Sequence, residues 1–380
     1  MRRSGVVLTV AAVVATACTA APVPDSGTTR AASPTLASTR ASTEASTEAS
    51  TRAMTGYLDG LVRTRQFRGS VEVRLGDRVL LSRGFDTAGN GKPNGPDTRF
   101  VIGSITKQFT ALGVLLLQEQ GRLRVRDRVC AYLPDCPPAW RAITLDQLLT
   151  HTSGLYNFTD MGPDGGRRFL ARIGTRTPSP EQVTEMFAGR PLEFAPGTRF
   201  KYSNSGYVLL GRVVEKVAGQ DYGHFLRKEI FEPLGMSDTG YTPGAPPRPD
   251  DAIGYATWQR TADTFDTSVW FAAGGICSTA PDMARWNDFL LTGSPALVDQ
   301  DTLADLLRPR LPAPPLGQYG YGIMTRGSGA ATVHFHDGGV PGFASYDEIR
   351  PADRLSVTVL SNLESADGFE VSKTLALMAK

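Results

Sequence analysis

Apolar and polar residues alternate in "GSVEVRL", where Val71, Val73 and Leu75 fall on one side, and "RVLLSRGF" resumes a β-rich run after Gly76-Asp77. A period of two interrupted by a turn predicts a β-hairpin over 69–85. Near the C-terminus "YGYGIMTR", "ATVHFHDG", "FASYDEIR" and "RLSVTVLSN" repeat the style with turn signals between them, and a helix follows around Phe369 to Met378. The intervening stretch has a helical period. Ile105, Phe109, Leu112 and Leu116 are spaced 4, 3 and 4 and form one stripe, closed by Gly121. "TLDQLLTH" and "GYVLLGRVVEKVAG" predict further amphipathic helices, and "STAPDMARWNDFL" opens with Ser and Thr as N-caps and an acid three residues after Thr279. The expected class is α+β: an antiparallel sheet built from both chain ends, flanked by helices, with a mostly helical inserted subdomain.

The first 55 residues break this pattern. Met1-Arg2-Arg3 is basic and "VVLTVAAVVATA" is apolar but too short to span a bilayer, so residues 1–18 read as a secretory signal. The segment ends in Ala17-Cys18, which resembles a bacterial lipobox with Cys18 as the lipidated residue; the alternative is plain cleavage nearby. Residues 19–55 hold Ala, Ser, Thr and Pro with a repeated "ASTE" echo, lack large apolar side chains, and are expected to form a disordered tether. The folded domain is then 56–380. The expected location is outside the cytoplasm, at the membrane face through a lipid or secreted.

Hydrophobic residues make up 41% of the chain, enough for a sizeable core, and the formal net charge of +2 shows no nucleic-acid footprint. The chain is read as a monomer that meets the membrane only through its anchor. Cys130 and Cys136 flank a short Pro-containing loop, and an exported protein permits them to form a disulfide. Cys277 sits among small residues and reads as a buried small hydrophobe. Four histidines without H-x-x-x-H spacing argue against a zinc hydrolase, and no metal or cofactor is expected.

The chemistry begins at "RFVIGSITKQFTALG". Ser104 and Lys107 are one helical turn apart, so the hydroxyl lies beside the amine. An apolar surround lowers the lysine's proton affinity, and the unpaired N–H at the helix start can hold an oxyanion. Alone, S-x-x-K is equally an N-cap serine with a surface lysine. "FKYSNSGYVLLG" adds Tyr202, able to shuttle a proton, and Asn204, able to bind an amide. "HFHDGGVPGF" adds His336 at a strand end and Gly338-Gly339, where a substrate could approach backbone.

In this order the three elements resemble the serine β-lactamase and penicillin-binding superfamily, closest to class C lactamases, D-Ala-D-Ala carboxypeptidases and related esterases. "LLTHTSGLYNFTD", "IFEPLGM" and "AAGGICSTAPDMARW" look similar too, over roughly Tyr57 to Lys380. The resemblance implies that Ser104 is acylated, Lys107 is its base, and Tyr202 passes a proton to the leaving group. It implies that Asn204 binds the substrate amide, and that His336-Asp337-Gly338 stands in the place of a Lys-Thr-Gly or His-Thr-Gly triplet. The N–H groups of Ser104 and Gly339 would form the oxyanion hole. The implied activity is an exported serine hydrolase acting through an acyl-enzyme on D-Ala-D-Ala-type peptides, β-lactams or esters. The alternative is a slow penicillin-binding or ligand-sensing module of the same fold. The resemblance implies a structural place under the site for His151; Trp270 and Phe271 read as pocket wall or core. Two departures stand out: His336 where many members have lysine, and Asp337 where a hydroxyl often helps bind carboxylate. A histidine of ordinary pKa, about 6.5, would be partly charged near neutrality. Carboxylate substrates should then bind less well as pH rises from about 6 to 8, and an esterase-leaning enzyme is expected unless another cation such as Arg285 serves.

Overall fold

The computed structural model describes residues 34–89, 91–173, 176–245, 247–263 and 266–379. Residues 1–45 and 46–380 are separate compact units. In the first, the described residues from Pro34 onward are helical; the signal segment, Cys18 and the start of the tether lie outside the described residues.

The second unit is organised by one eight-stranded sheet. Its strands are β1 (Gly69–Leu75), β2 (Arg78–Phe85), β3 (Leu311–Pro312), β4 (Gln318–Tyr319), β5 (Met324–Arg326), β6 (Val333–Val340), β7 (Phe343–Arg350) and β8 (Leu355–Ser361). They lie in the order β2-β1-β8-β7-β6-β5-β4-β3, each antiparallel to its neighbour. The expected hairpin turns at Gly76, whose φ of 56° suits glycine. Register places Val71 opposite Val359 and Val73 opposite Val357. These pairs stack on one face and join the two ends of the chain.

That face is covered by the part of helix α1 (Pro34–Arg63) that lies in this unit, from Ser46 on, and by the last helix, Gly368–Met378. Met54 and Leu58 of α1 are fully buried, with Tyr57, Leu61 and Val62 packed beside them. The spacing i, i+3, i+4, i+7, i+8 is an amphipathic stripe, and the Thr51 hydroxyl donates to Leu80 O at 2.6 Å. The tether expected as far as residue 55 is therefore corrected: α1 is helical from Pro34, and the packed unit begins at Ser46. Composition hid this, because Met54 alone supplies the first anchor and helical Ala and Glu supply the rest.

The opposite face carries helix α2 (Thr106–Glu119), α3 (Asn204–Ala218) and α4 (Ala280–Thr292). Thr279 caps α4 by accepting from the Asp282 N–H, as its sequence predicts. The single stripe expected on α2 is an underestimate, since every residue from Thr106 to Leu117 is buried. Its polar residues are paired inside: Gln108 accepts from Trp286 Nε1 at 2.6 Å, and the Thr110 hydroxyl contacts Ala272 O at 2.7 Å. A helix buried on all sides must be satisfied this way. Cys130 and Cys136 are joined in a disulfide, and Asp135 within the loop holds Arg212 of α3 at 2.9 and 3.0 Å. Among the described residues no helix is long and apolar enough to cross a membrane.

Candidate active site

Ser104 occupies a 3-10 turn, Gly103–Ile105, that runs directly into α2. It is pressed against β6. A Cβ on Gly103, whose φ is 53°, would lie 2.8 Å from the Gly339 nitrogen, and one on Gly338 would lie 2.1 Å from Ile102 O. Only glycine at both positions permits this approach. The Ser345 hydroxyl closes the seam by donating to Ile102 O at 2.8 Å.

β6 does not end at His336, as its sequence suggested, but continues to Val340 and turns through Pro341-Gly342 into β7. In a two-residue hairpin the closing pair, Val340 and Phe343, exchanges hydrogen bonds, and so do alternate pairs behind it. Gly338 therefore bonds to Ser345, and the Gly339 N–H faces the other way. On that side β5 pairs only with Val333 to Phe335, so the edge is open to the Ser104 turn. The N–H groups of Ser104 and Gly339 thus border one space.

Lys107 is fully buried. Its Nζ lies 2.9 Å from Ser104 Oγ, 2.8 Å from Asn204 Oδ1 and 2.7 Å from Ala273 O. The orientation of Asn204 follows from a chain of unambiguous partners. The Asp160 carboxylate can only accept, so Asn157 presents its Nδ2 to it, at 2.8 Å. Asn157 Oδ1 then accepts from the Asn204 backbone N–H and from Asn204 Nδ2, which also donates to the Thr159 hydroxyl. The amide oxygen of Asn204 is left for the lysine. Burial holds Lys107 well below the ordinary lysine pKa, opposed by the charge of Asp337. A neutral amine has two N–H donors, and Asn204 Oδ1 and Ala273 O take both. Its lone pair is left for the Ser104 hydroxyl, which is the geometry of a base.

The Tyr202 ring lies 4.8 Å from Lys107 Nζ. Its buried hydroxyl has no partner of good hydrogen-bond geometry, though Ser104 is near enough to ease its ionisation. Burial raises its pKa well above the ordinary value, so the phenol keeps its proton.

Behind these groups runs a buried chain. The Ser203 N–H donates to His151 Nδ1 at 3.2 Å, so His151 Nε2 carries the proton toward Tyr319 Oη at 3.0 Å. Tyr319 Oη is 3.3 Å from His336 Nε2, and His336 Nδ1 donates to the Asp337 carbonyl at 2.6 Å. Each ring therefore needs a single proton. Burial pushes His336 down to about 4, with Lys107 adding to the effect and Asp337 opposing it. His151 is likewise lowered by burial, by Lys107 and by His336. The expected partly charged His336 is thus corrected: its ring is enclosed, and burial pushes its pKa below the ordinary histidine value. Asp337 sits opposite Tyr346 on the far face of the sheet, is 65% exposed, and acts on the site by charge alone. His151 lies under the Tyr202 ring at 4.2 Å, within the structure of the site.

A cavity of about 420 Å³ opens in front of Ser104, with Asn204 and Gly339 in its wall beside Phe158, Met161, Trp270 and Phe343. Trp270 is wall, whereas Phe271 is core. Arg285 is engaged with Asp282 at 2.8 Å and does not line the cavity. Cys277 is half-buried rather than enclosed, and burial pushes its thiol up to about 11. Among the described residues no cluster of three His, Cys, Asp or Glu side chains could hold a metal. Asn157, Thr159 and Tyr319 were missed in the sequence. Asn157 and Thr159 lie in "LYNFTD", whose polar residues alternating with Leu155, Tyr156 and Phe158 were the available signal.

A serine with a buried amine as partner, on an antiparallel sheet with a helical insertion, defines a serine hydrolase of the β-lactamase and transpeptidase fold. The Beta-lactamase family pattern matches residues 54–379, and the chain belongs to that family. It is 30% identical to Penicillin-binding protein 4* of Bacillus subtilis, over 80% of this chain and 70% of that one. The octameric penicillin-binding protein homologue from Pyrococcus abyssi superposes with a TM-score of 0.73 at 26% identity, covering 86% of this chain and 77% of that one. The D-amino acid amidase from Ochrobactrum anthropi SV3, in complex with L-phenylalanine amide, gives 0.72 at 26%, covering 86% and 95%.

Proposed function

We propose that this serine hydrolase is exported and cleaves amides, esters or β-lactams, including D-Ala-D-Ala-type peptides, through an acyl-enzyme on Ser104. Ser104 Oγ attacks the carbonyl carbon as its proton passes to Lys107. The oxyanion forms between the N–H groups of Ser104 and Gly339. Tyr202 gives a proton to the departing amine or alcohol and is reprotonated from Lys107. Water then attacks the ester carbonyl, and Ser104 recovers its proton. Asn204 orients the amine and can reach a substrate amide.

The observation that carries this reading is the surround of Lys107: two carbonyl-type acceptors and one hydroxyl enclose an amine whose pKa burial holds well below the ordinary lysine value. General-base assistance of this kind contributes roughly 10²–10⁴-fold.

Intact-mass measurement after incubation with a fluorophosphonate, a penicillin, a D-Ala-D-Ala peptide and a neutral ester tests it. We expect an adduct on Ser104, none in Ser104→Ala, and labelling slowed about a hundredfold or more in Lys107→Ala. Full-rate labelling of Ser104→Ala would overturn the mechanism. Release of the acyl group with turnover separates a hydrolase from a slow sensor. Cys18→Ser should free the protein from membranes if lipid holds it there. Light scattering decides whether it is a monomer, unlike the Pyrococcus abyssi relative.

A further inference from the structure

The cavity in front of Ser104 is apolar on most of its wall and carries one charged side chain among the described residues that line it, Glu364. Among the described residues no Lys or Arg is in that wall, so no cation there complements a substrate carboxylate. Glu364 is exposed, yet it is held in place. Its Oε2 accepts the Gly342 N–H at 3.0 Å, and its own backbone N–H donates to Tyr255 O at 2.9 Å. Gly342 belongs to the β6–β7 turn, three residues beyond Gly339, whose N–H faces the Ser104 turn. The hairpin that borders the reacting carbonyl thus also fixes the carboxylate. Among the described residues no cation pairs with Glu364, and none donates a hydrogen bond to its other oxygen.

We propose that Glu364 is a specificity determinant that receives a cationic amine of the substrate, and that the preferred substrates are apolar amides or esters bearing a free ammonium group. This rests on the acyl-transfer reading of Ser104. Three residues of chain reach at most about 10 Å, so the carboxylate and the Gly339 N–H border the same cavity and one short substrate chain can address both, its best length being read from the test. The apolar wall covers the linking chain. An anionic group in the same place would meet Glu364 unneutralised, so the carboxylate also selects against acids.

The test uses matched 4-nitrophenyl esters of ω-amino acids with two to six carbons, each as the free amine and as its N-acetyl derivative. At the best chain length the wild-type enzyme should favour the ammonium ester about fivefold in kcat/KM, as suits a solvent-exposed charge pair. The preference should reside in KM and shrink with added salt. In Glu364→Gln, which keeps an oxygen for Gly342, the ratio of ammonium to N-acetyl ester should fall to about one, and in Glu364→Lys it should invert. Taking the ratio removes any general loss of activity. A wild-type enzyme with no preference at any length, or a ratio unchanged in Glu364→Gln, would overturn the assignment. Hydrolysis of the N-acetyl esters, compared between wild type and Ser104→Ala, judges the acyl-transfer reading separately.

Discussion

The amide oxygen of Asn204 lies 2.8 Å from Lys107 Nζ, turned toward it by a chain of donors that begins at the Asp160 carboxylate. This contact couples the loop before α3 to the protonation state of the amine. Asn204→Asp would replace a neutral acceptor by a charge. The carboxylate favours the ammonium form and raises the lysine pKa, so the base is lost near neutrality and returns as pH rises through the new value. Fluorophosphonate labelling at pH 7 should slow about a hundredfold and recover in alkali. A wild-type rate at pH 7 would show that Asn204 does not govern the amine.

His336 should remain neutral at physiological pH. With a folded pKa of about 4 and an unfolded one of about 6.5, it binds fewer protons folded than unfolded between those values. Stability is therefore complete above about pH 6.5 and is lost as pH falls toward 4, by on the order of 3 kcal/mol. Asp347, raised to about 7 by burial, acts in the opposite sense, so urea unfolding should be compared between wild type and His336→Gln. The direct measurement is the ring NMR shift of His336, expected to be flat from pH 5.5 to 8. A midpoint near 6.5 would restore the partly charged histidine and the climb in KM for carboxylate substrates.

The N-terminal boundary can be tested by truncation. A chain beginning at Ser46 should keep its melting temperature and its activity. One beginning at Gly56 loses Met54, fully buried, and the Thr51 contact to Leu80. Loss of a buried Met side chain costs about 2–5 kcal/mol. Equal melting temperatures for the two chains would return residues 46–55 to the tether.

Reduction of the Cys130–Cys136 disulfide should lower stability modestly. The bridge spans a sequence separation of 6, and so short a loop restricts the unfolded chain by only about 2 kcal/mol. Calorimetry with and without reductant should show a lower melting temperature and a domain still folded at 25 °C. Complete unfolding on reduction would mean that the loop anchors Arg212 and α3 more strongly than chain entropy allows.

Much of this molecule is written locally. The period of two in β1, β6, β7 and β8, the caps at Thr279 and Gly121, and the one-turn spacing of Ser104 and Lys107 are short-range features, set by backbone geometry and side-chain direction. Tyr202 and Asn204 were legible for the same reason, because they sit at the junction where α3 starts. Protonation and reach were decided elsewhere. The pKa of Lys107 is held well below the ordinary lysine value because α2 is surrounded on every side, which its single apolar stripe did not reveal. His336 is held below the ordinary histidine range because it is enclosed, with Tyr319, 17 residues earlier on another strand, beside its Nε2. Asp337 stands where a hydroxyl often helps bind carboxylate, and strand parity turns its side chain to the opposite face. Glu364 carries no motif and enters the cavity only because the turn at Gly342 holds it there. Helices, strands and motif spacing depend on neighbours a few residues away. The free energy of a buried charge depends on every group packed around it, and those groups come from distant parts of the chain.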